Sequence, residues 1–110
     1  MTPARQIKVY AGNRHLAGAL RDSLAGVNDT PVSILARLED ASPPGVVLTT
    51  AADCSAAACS RLVEAGLDVV VLVVLPSSLD ESSYRRAGAA GYLPMGVDLG
   101  PLRTMLRALL

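Results

Sequence analysis

The sequence predicts an α/β fold, a parallel sheet with helices wound on both faces. Three observations predict it. Short apolar, β-rich runs at residues 7–11, 46–49, 69–75 and 92–94 alternate with segments of helical spacing. Residues 69–75 are apolar throughout, as in a central strand buried on both faces. The chain has 110 residues, 51% of them apolar, which is one domain's worth of sequence with enough material for a core.

Each element can be justified in order. Residues 7–11 form a first strand that stops at Gly12-Asn13. From Arg14 onward, Leu16, Leu20 and Leu24 recur at four-residue spacing, giving a helix that Gly26 closes. Residues 27–41 carry two patterns. Val32, Ile34, Ala36 and Leu38 alternate with polar neighbours as in a strand. Thr30-Pro31 also reads as a cap with a first-turn proline, ahead of a helical stripe of Ile34, Leu35 and Leu38 that runs into Glu39 and Asp40. The expectation is a truncated second strand at residues 31–34 running into a short second helix. Ser42-Pro43-Pro44-Gly45 is a break, and residues 46–49 are the third strand. Residues 51–66 are a helix capped by Asp53 or Ser55 and stopped by Gly66. Residues 69–75 are the fourth strand, ended by Pro76. Ser78 and Glu81 stand at capping-box spacing, and the helix they start runs to Gly88. Residues 92–94 are the last strand. Asp98 caps a final helix with Leu99, Leu102, Leu106 and Leu109 on its inner face, and Val97 is placed to staple against Leu102. Five strands alternating with five helices give a three-layer, doubly wound sandwich in the flavodoxin-like strand order 2-1-3-4-5, with right-handed crossovers and an abbreviated second strand and helix. Residues 1–110 read as one domain, without repeats or a linker.

Composition excludes several functions. Ten Lys+Arg balance ten Asp+Glu, so no electrostatic footprint points to nucleic acid. The chain has one lysine (Lys8), one histidine (His15) and no Phe or Trp, which leaves little for a lysine-based or His-rich site or for base stacking. Cys54 and Cys59 are five apart with no histidine partners, and they read as two reduced thiols rather than a zinc site. Residues 69–75 are too short to span a membrane and no signal-peptide layout precedes the first strand. The expectation is a soluble, cytoplasmic protein.

In such folds, ligands bind beyond the carboxyl ends of the strands, where the strand order reverses. The residues at that edge are Gly12 and Asn13, Thr49 and Thr50, Val74 and Leu75, and Met95. They include no carboxylate, lysine or thiol, so the edge offers Mg²⁺ no hard anionic oxygen. Asp53, three residues past the third strand, reads as a helix cap. Residues 12–18 hold neither G-K-[ST] nor G-x-G-x-x-G, which leaves only a helix start at Arg14 to attract an anion. His15 has no neighbouring acid or nucleophile and reads as a partly exposed loop residue. Ser77, Ser78, Ser82 and Ser83 have no base to activate them and read as caps and solvated positions. No enzyme activity, cofactor or metal is expected.

The segment Tyr84-Arg85-Arg86-Ala87-Gly88-Ala89-Ala90-Gly91-Tyr92-Leu93-Pro94-Met95, with Leu102 and Met105-Leu106-Arg107-Ala108-Leu109-Leu110, resembles the end of a response-regulator receiver domain of the NarL/LuxR-type group. More weakly, Ile7-Lys8-Val9-Tyr10 resembles that family's first strand, His15 falls where the subgroup often has histidine, and Pro44-Gly45-Val46-Val47-Leu48 resembles the approach to its phospho-acceptor. Carried over by position, the family's acidic pair falls on Asn13 and Arg14 (or Gly12 and Asn13). The phosphorylated aspartate falls on Thr50, next to Thr49. The hydroxyl residue ending the fourth strand falls near Val73 or Val74, and the sensing lysine falls on Met95. Tyr92 keeps the aromatic switch position. The resemblance thus implies an atypical, aspartate-less pseudo-receiver whose phosphorylation pocket (Gly12, Asn13, Arg14, Thr49, Thr50, Val74, Met95) is degenerate.

The function so implied is a phosphorylation-independent signalling and interaction module, the N-terminal regulatory and dimerisation part of a transcription regulator. The chain stops close to the end of its last helix, and the DNA-binding output domain is expected to lie outside it. Homodimers are expected through the fourth helix, fifth strand and fifth helix, on a face with Tyr84, Arg85, Arg86, Tyr92, Arg103 and Arg107 and with Asp80, Glu81 and Asp98 as counter-charges. Two alternatives stand beside this. The emptied pocket takes a small neutral effector, or the chain is the receiver-like N-terminal domain of a ParA-type polar-localisation ATPase.

Overall fold

The structure is a computed structural model that describes residues 6–24, 30–75, 77–95 and 99–110. Strands β1 (Ile7–Tyr10), β2 (Val32–Ile34), β3 (Val46–Thr50), β4 (Asp68–Val73) and β5 (Gly91–Pro94) form one sheet in the order β2-β1-β3-β4-β5. Every neighbouring pair is parallel, with Val9 opposite both Ile34 and Leu48 and with Thr50 opposite Leu72. This is the expected flavodoxin-like sandwich. Helices α1 (Arg14–Leu24), α2 (Ala56–Glu64), α3 (Ser78–Arg86) and α4 (Gly100–Leu109) cover its faces.

The period-two alternation of the strands divides the core in two. Ile7, Val9, Val46, Leu48, Val70 and Leu72 face α1 and α4, where Leu20, Leu24, Leu102 and Leu106 meet them. Val47, Val69, Val71 and Val73 face α2 and α3, against Cys54, Cys59, Leu62 and Tyr84. The Met105 thioether of α4 packs over Gly91 of β5, in the space that a Cβ there would take.

The expected second helix is a single 3₁₀ turn, Leu38–Asp40. The chain stays extended past β2, where Leu35 N–H bonds the Val9 carbonyl and Arg37 keeps extended angles (φ −140°, ψ 148°). The helical stripe therefore never assembles. Only Leu38 is buried, and Ile34 is 40% exposed. The first strand ends at Tyr10 and the fourth at Val73, both earlier than expected. Val73 pairs with Pro94, the last residue of β5, and its carbonyl takes one more bond from Met95 N–H, so Val74 and Leu75 lack a strand to pair with and are exposed.

Helix starts also move. Of the two candidate caps for α2, Ser55 holds the position, its Oγ accepting from Ala58 N–H at 3.1 Å. Ser77 rather than Ser78 caps α3, accepting from Asp80 N–H at 3.4 Å. The final helix starts at Gly100 with Leu99 in the cap position. The expected cap Asp98 and staple residue Val97 lie outside the described residues, as do Gly26 and Pro76.

Leu106 is fully buried where α4 meets the sheet. Leu106→Ala is expected to lower unfolding free energy by about 2–5 kcal/mol, read by urea denaturation. Arg107→Ala, one residue on and exposed, is the control and is expected to change it by less than about 0.5 kcal/mol.

Candidate functional site

Loops after β1 and β3 meet at the carboxyl edge of the sheet. After β1, the Asn13 side chain turns inward to its own helix, and its Oδ1 accepts from His15 N–H (2.9 Å) and Leu16 N–H (3.2 Å). Asn13 is therefore the N-cap of α1. These bonds also occupy two of the amide groups with which the helix start would hold an anion. His15 is exposed, in the first turn of α1 rather than in a loop.

After β3 the chain makes a tight turn, with Asp53 N–H and Cys54 N–H both bonded to the Thr50 carbonyl (3.1 and 3.0 Å). This turn folds the Asp53 side chain back onto the strand end. Thr50 Oγ1 donates to Asp53 Oδ2 at 2.6 Å and accepts from Asp53 N–H at 3.2 Å. The other carboxylate oxygen lies over Gly12, where a Cβ would stand 2.7 Å from Oδ1. The strand ends expected to lack an acid thus hold one, contributed by a residue that does not cap its helix. The sequence signal was the Thr-x-x-Asp spacing directly after a strand, which suits a hydroxyl–carboxylate turn. Asp53 is a single acid, and among the described residues no three His, Cys, Asp or Glu side chains gather as a metal-binding group.

The remaining pocket residues are not brought together. Gly12 and Arg14 line a cavity of about 460 Å³ with Tyr10, Ile34 and Leu35, on the β2 side. Met95 lines a different cavity, of about 500 Å³, between α1 and α4. Thr49 and Thr50 are buried, and Val74 is 76% exposed. The small effector pocket expected from these residues is therefore not one space.

Thr49 Oγ1 is buried without a hydrogen-bond partner. On the same side of the sheet, Tyr84 reaches down from α3 and its hydroxyl donates to the Cys54 carbonyl at 2.6 Å, with the Ala51 carbonyl at 3.4 Å. Its ring stacks on Tyr92 with centroids 5.7 Å apart, and the Tyr92 hydroxyl accepts from Ser77 N–H at 3.2 Å. Tyr84 is only 6% exposed, so it lies beneath the expected dimer face rather than on it. Burial, then Cys59, then Asp53 push the Cys54 thiol up from 9.0 to about 11. Burial likewise raises Cys59, and burial followed by Cys54 raises Tyr84.

Other residues of the expected face divide between the two flanks of α4. Arg85 and Tyr92 line a cleft of about 150 Å³ with Gly91, Leu93 and Met105, between α3 and α4. Arg85 also pairs with Glu81 at 3.2 Å, which occupies that counter-charge within α3. Arg86 is exposed at the end of α3. Arg103 turns the other way, donating to the Ser23 carbonyl of α1 at 2.8 Å, and Arg107 follows one turn along that flank.

Solved structures share this fold. The chain is similar to a response regulator receiver protein from Pseudoalteromonas atlantica, at 17% identity and a TM-score of 0.78 over 94% of each chain. It is also similar to a putative pilus assembly-related protein from Burkholderia pseudomallei, at 16% identity and a TM-score of 0.80 over 96% of this chain and 88% of that one. A third is a LuxR-family DNA-binding response regulator from Staphylococcus aureus, at 9% identity and a TM-score of 0.77 over 96% and 98%. No family model matches the chain, and no curated protein does. At these identities the likeness is one of fold, the receiver fold. No helix among the described residues is long and apolar enough to cross a membrane.

Two outcomes test this geometry. Thr49→Val removes an unpaired buried hydroxyl at nearly constant shape and is expected to stabilise the fold by about 1 kcal/mol, measured by urea unfolding. The raised Cys54 thiol means that the fold favours the protonated form. That contribution is present below the unfolded value of 9.0 and is lost as pH rises towards about 11. Stability is expected to fall across that window, and Cys54→Ala is expected to make the fall shallower.

Proposed function

We propose that this chain is a phosphorylation-independent, receiver-like signalling domain, the regulatory and dimerisation module of a transcription regulator. The observation that carries the reading is the strand-end site. Thr50 stands where the receiver resemblance puts the phospho-acceptor, and its hydroxyl is already bonded to Asp53. A threonine cannot form an acyl phosphate. Asn13 is occupied as a helix cap, Arg14 brings a positive charge where Mg²⁺ would need a negative one, and Met95 stands in the lysine position. Lys8, the single lysine, is held in β1 with its ammonium donating to the Ser42 carbonyl. The likeness to the LuxR-family response regulator supports the regulatory role.

The contact face of this reading is α3–β5–α4. Arg85 and Tyr92 line the cleft over Gly91, Arg86 is exposed at the end of α3, and the exposed Asp80 supplies opposite charge on α3 beyond the Glu81 already paired with Arg85. A twofold contact needs self-complementary charge, and this face carries both signs.

One observation favours a second reading, the receiver-like N-terminal domain of a ParA-type polar-localisation ATPase. The Burkholderia structure is described as pilus assembly-related and matches with a TM-score of 0.80. Both readings make the domain a protein-contact module rather than an enzyme.

Light scattering after size exclusion, with no phosphodonor, is expected to give a dimer mass. Arg86→Glu, an exposed change, and Tyr92→Glu are expected to give monomers. Acetyl phosphate with Mg²⁺ is expected to leave both the assembly and the intact mass unchanged. A phosphoryl adduct, or a monomer at high protein concentration, overturns the reading.

A further inference from the structure

We infer that the cleft between α1 and α4 is a binding site for a small amphipathic molecule, an apolar chain carrying an anionic head such as a medium-chain carboxylate. This inference is independent of the proposed function and concerns the opposite flank of α4 from the contact face. The cleft holds about 500 Å³, within the usual range for small-molecule sites. Its floor is formed by Leu20, Leu72 and Leu102, each at most 5% exposed, and its walls include Leu93 and Met95. Ser23 is the one polar side chain among the lining residues, and no charged side chain lines the space. Water gains little from such a lining, whereas an apolar chain recovers the contacts that the facing leucines lack.

The head group is assigned by Arg103. One guanidinium nitrogen is fixed on the Ser23 carbonyl, which anchors the cation at the Ser23 end of the cleft. A guanidinium has five N–H donors, and the structure gives Arg103 no carboxylate partner among the described residues. Arg21, on α1, is paired with Asp22 at 3.3 Å. A carboxylate head would therefore meet a positioned guanidinium at the Ser23 end of the apolar lining, one that no carboxylate of the described residues pairs with.

The test titrates the full chain with decanoate and with decanol below their aggregation concentrations, following methyl NMR signals and thermal unfolding. Decanoate is expected to shift the Met95 ε-methyl and Leu93 methyl signals first, to raise the melting temperature, and to bind several-fold tighter than decanol. Arg103→Gln is expected to erase that preference while leaving decanol binding unchanged. Ala19→Trp, at an exposed position on the wall, is expected to fill the space and abolish both. Absent or diffuse shifts in the unmodified chain overturn the site, whatever the variants do. Equal binding of the two ligands by the unmodified chain overturns the role of Arg103. Neither result bears on dimer mass, so failure here is distinct from failure of the proposed function.

Discussion

The bond from the Tyr84 hydroxyl to the Cys54 carbonyl, buried and 2.6 Å long, fixes where the β3–α2 loop lies, and the strand-end site depends on that loop. Five residues, 51–55, lie between the end of β3 and the first residue of α2. Their path is held at one end by the sheet and at the other by the Ser55 cap. Tyr84 holds the middle. With the loop pinned, Asp53 is directed back to Thr50 and Gly12 rather than forward to the helix, and Ser55 is left to cap α2. A hydroxyl donating to a buried carbonyl also satisfies two groups that would each be costly alone.

The same tyrosine connects that loop to the proposed contact face. Its ring stacks on Tyr92, whose hydroxyl accepts from the amide of the α3 cap residue Ser77. Loop, α3 and β5 are thus joined by two aromatic rings and three polar contacts. In a domain proposed to work without phosphorylation, such a connection holds one arrangement of the face rather than alternating between two. The unpaired Thr49 hydroxyl lies on the same side of the sheet and is a local cost of that packing.

How much of this was legible in the sequence differs by element. The sheet was readable because residues 69–73 are apolar without interruption, and only a strand covered on both faces needs that. The end of β4 was not readable, since Val74 and Leu75 continue the run. What stops the strand is the end of its neighbour β5 at Pro94, opposite Val73, a fact of pairing rather than of local pattern. The second helix misled because Ile34, Leu35 and Leu38 fit helical spacing, yet backbone pairing with β1 keeps the first two extended. Asp53 was read as a cap because an acid three residues past a strand suits either role; Ser55, two residues later, took the cap. The flank chosen by Arg103 was invisible for a similar reason. Helical spacing gives a direction around α4, but only the Ser23 carbonyl of α1 decides where the guanidinium ends.

The lone carboxylate at the strand ends has an explanation that needs no ligand. A Mg²⁺ site generally combines one or two carboxylates with phosphate oxygens and waters. Asp53 has one oxygen engaged by the Thr50 hydroxyl, and the other lies over Gly12, in the space that a Cβ there would take. In this arrangement the acid is bonded to the end of β3 and lies against the loop after β1, at the strand pair where the order of the sheet reverses. On the proposed reading, the place that does chemistry in phosphorylated receivers has become a structural tie. The tie accounts together for two features that chemistry leaves unexplained: a threonine at 50, and an acid that declines the helix it precedes.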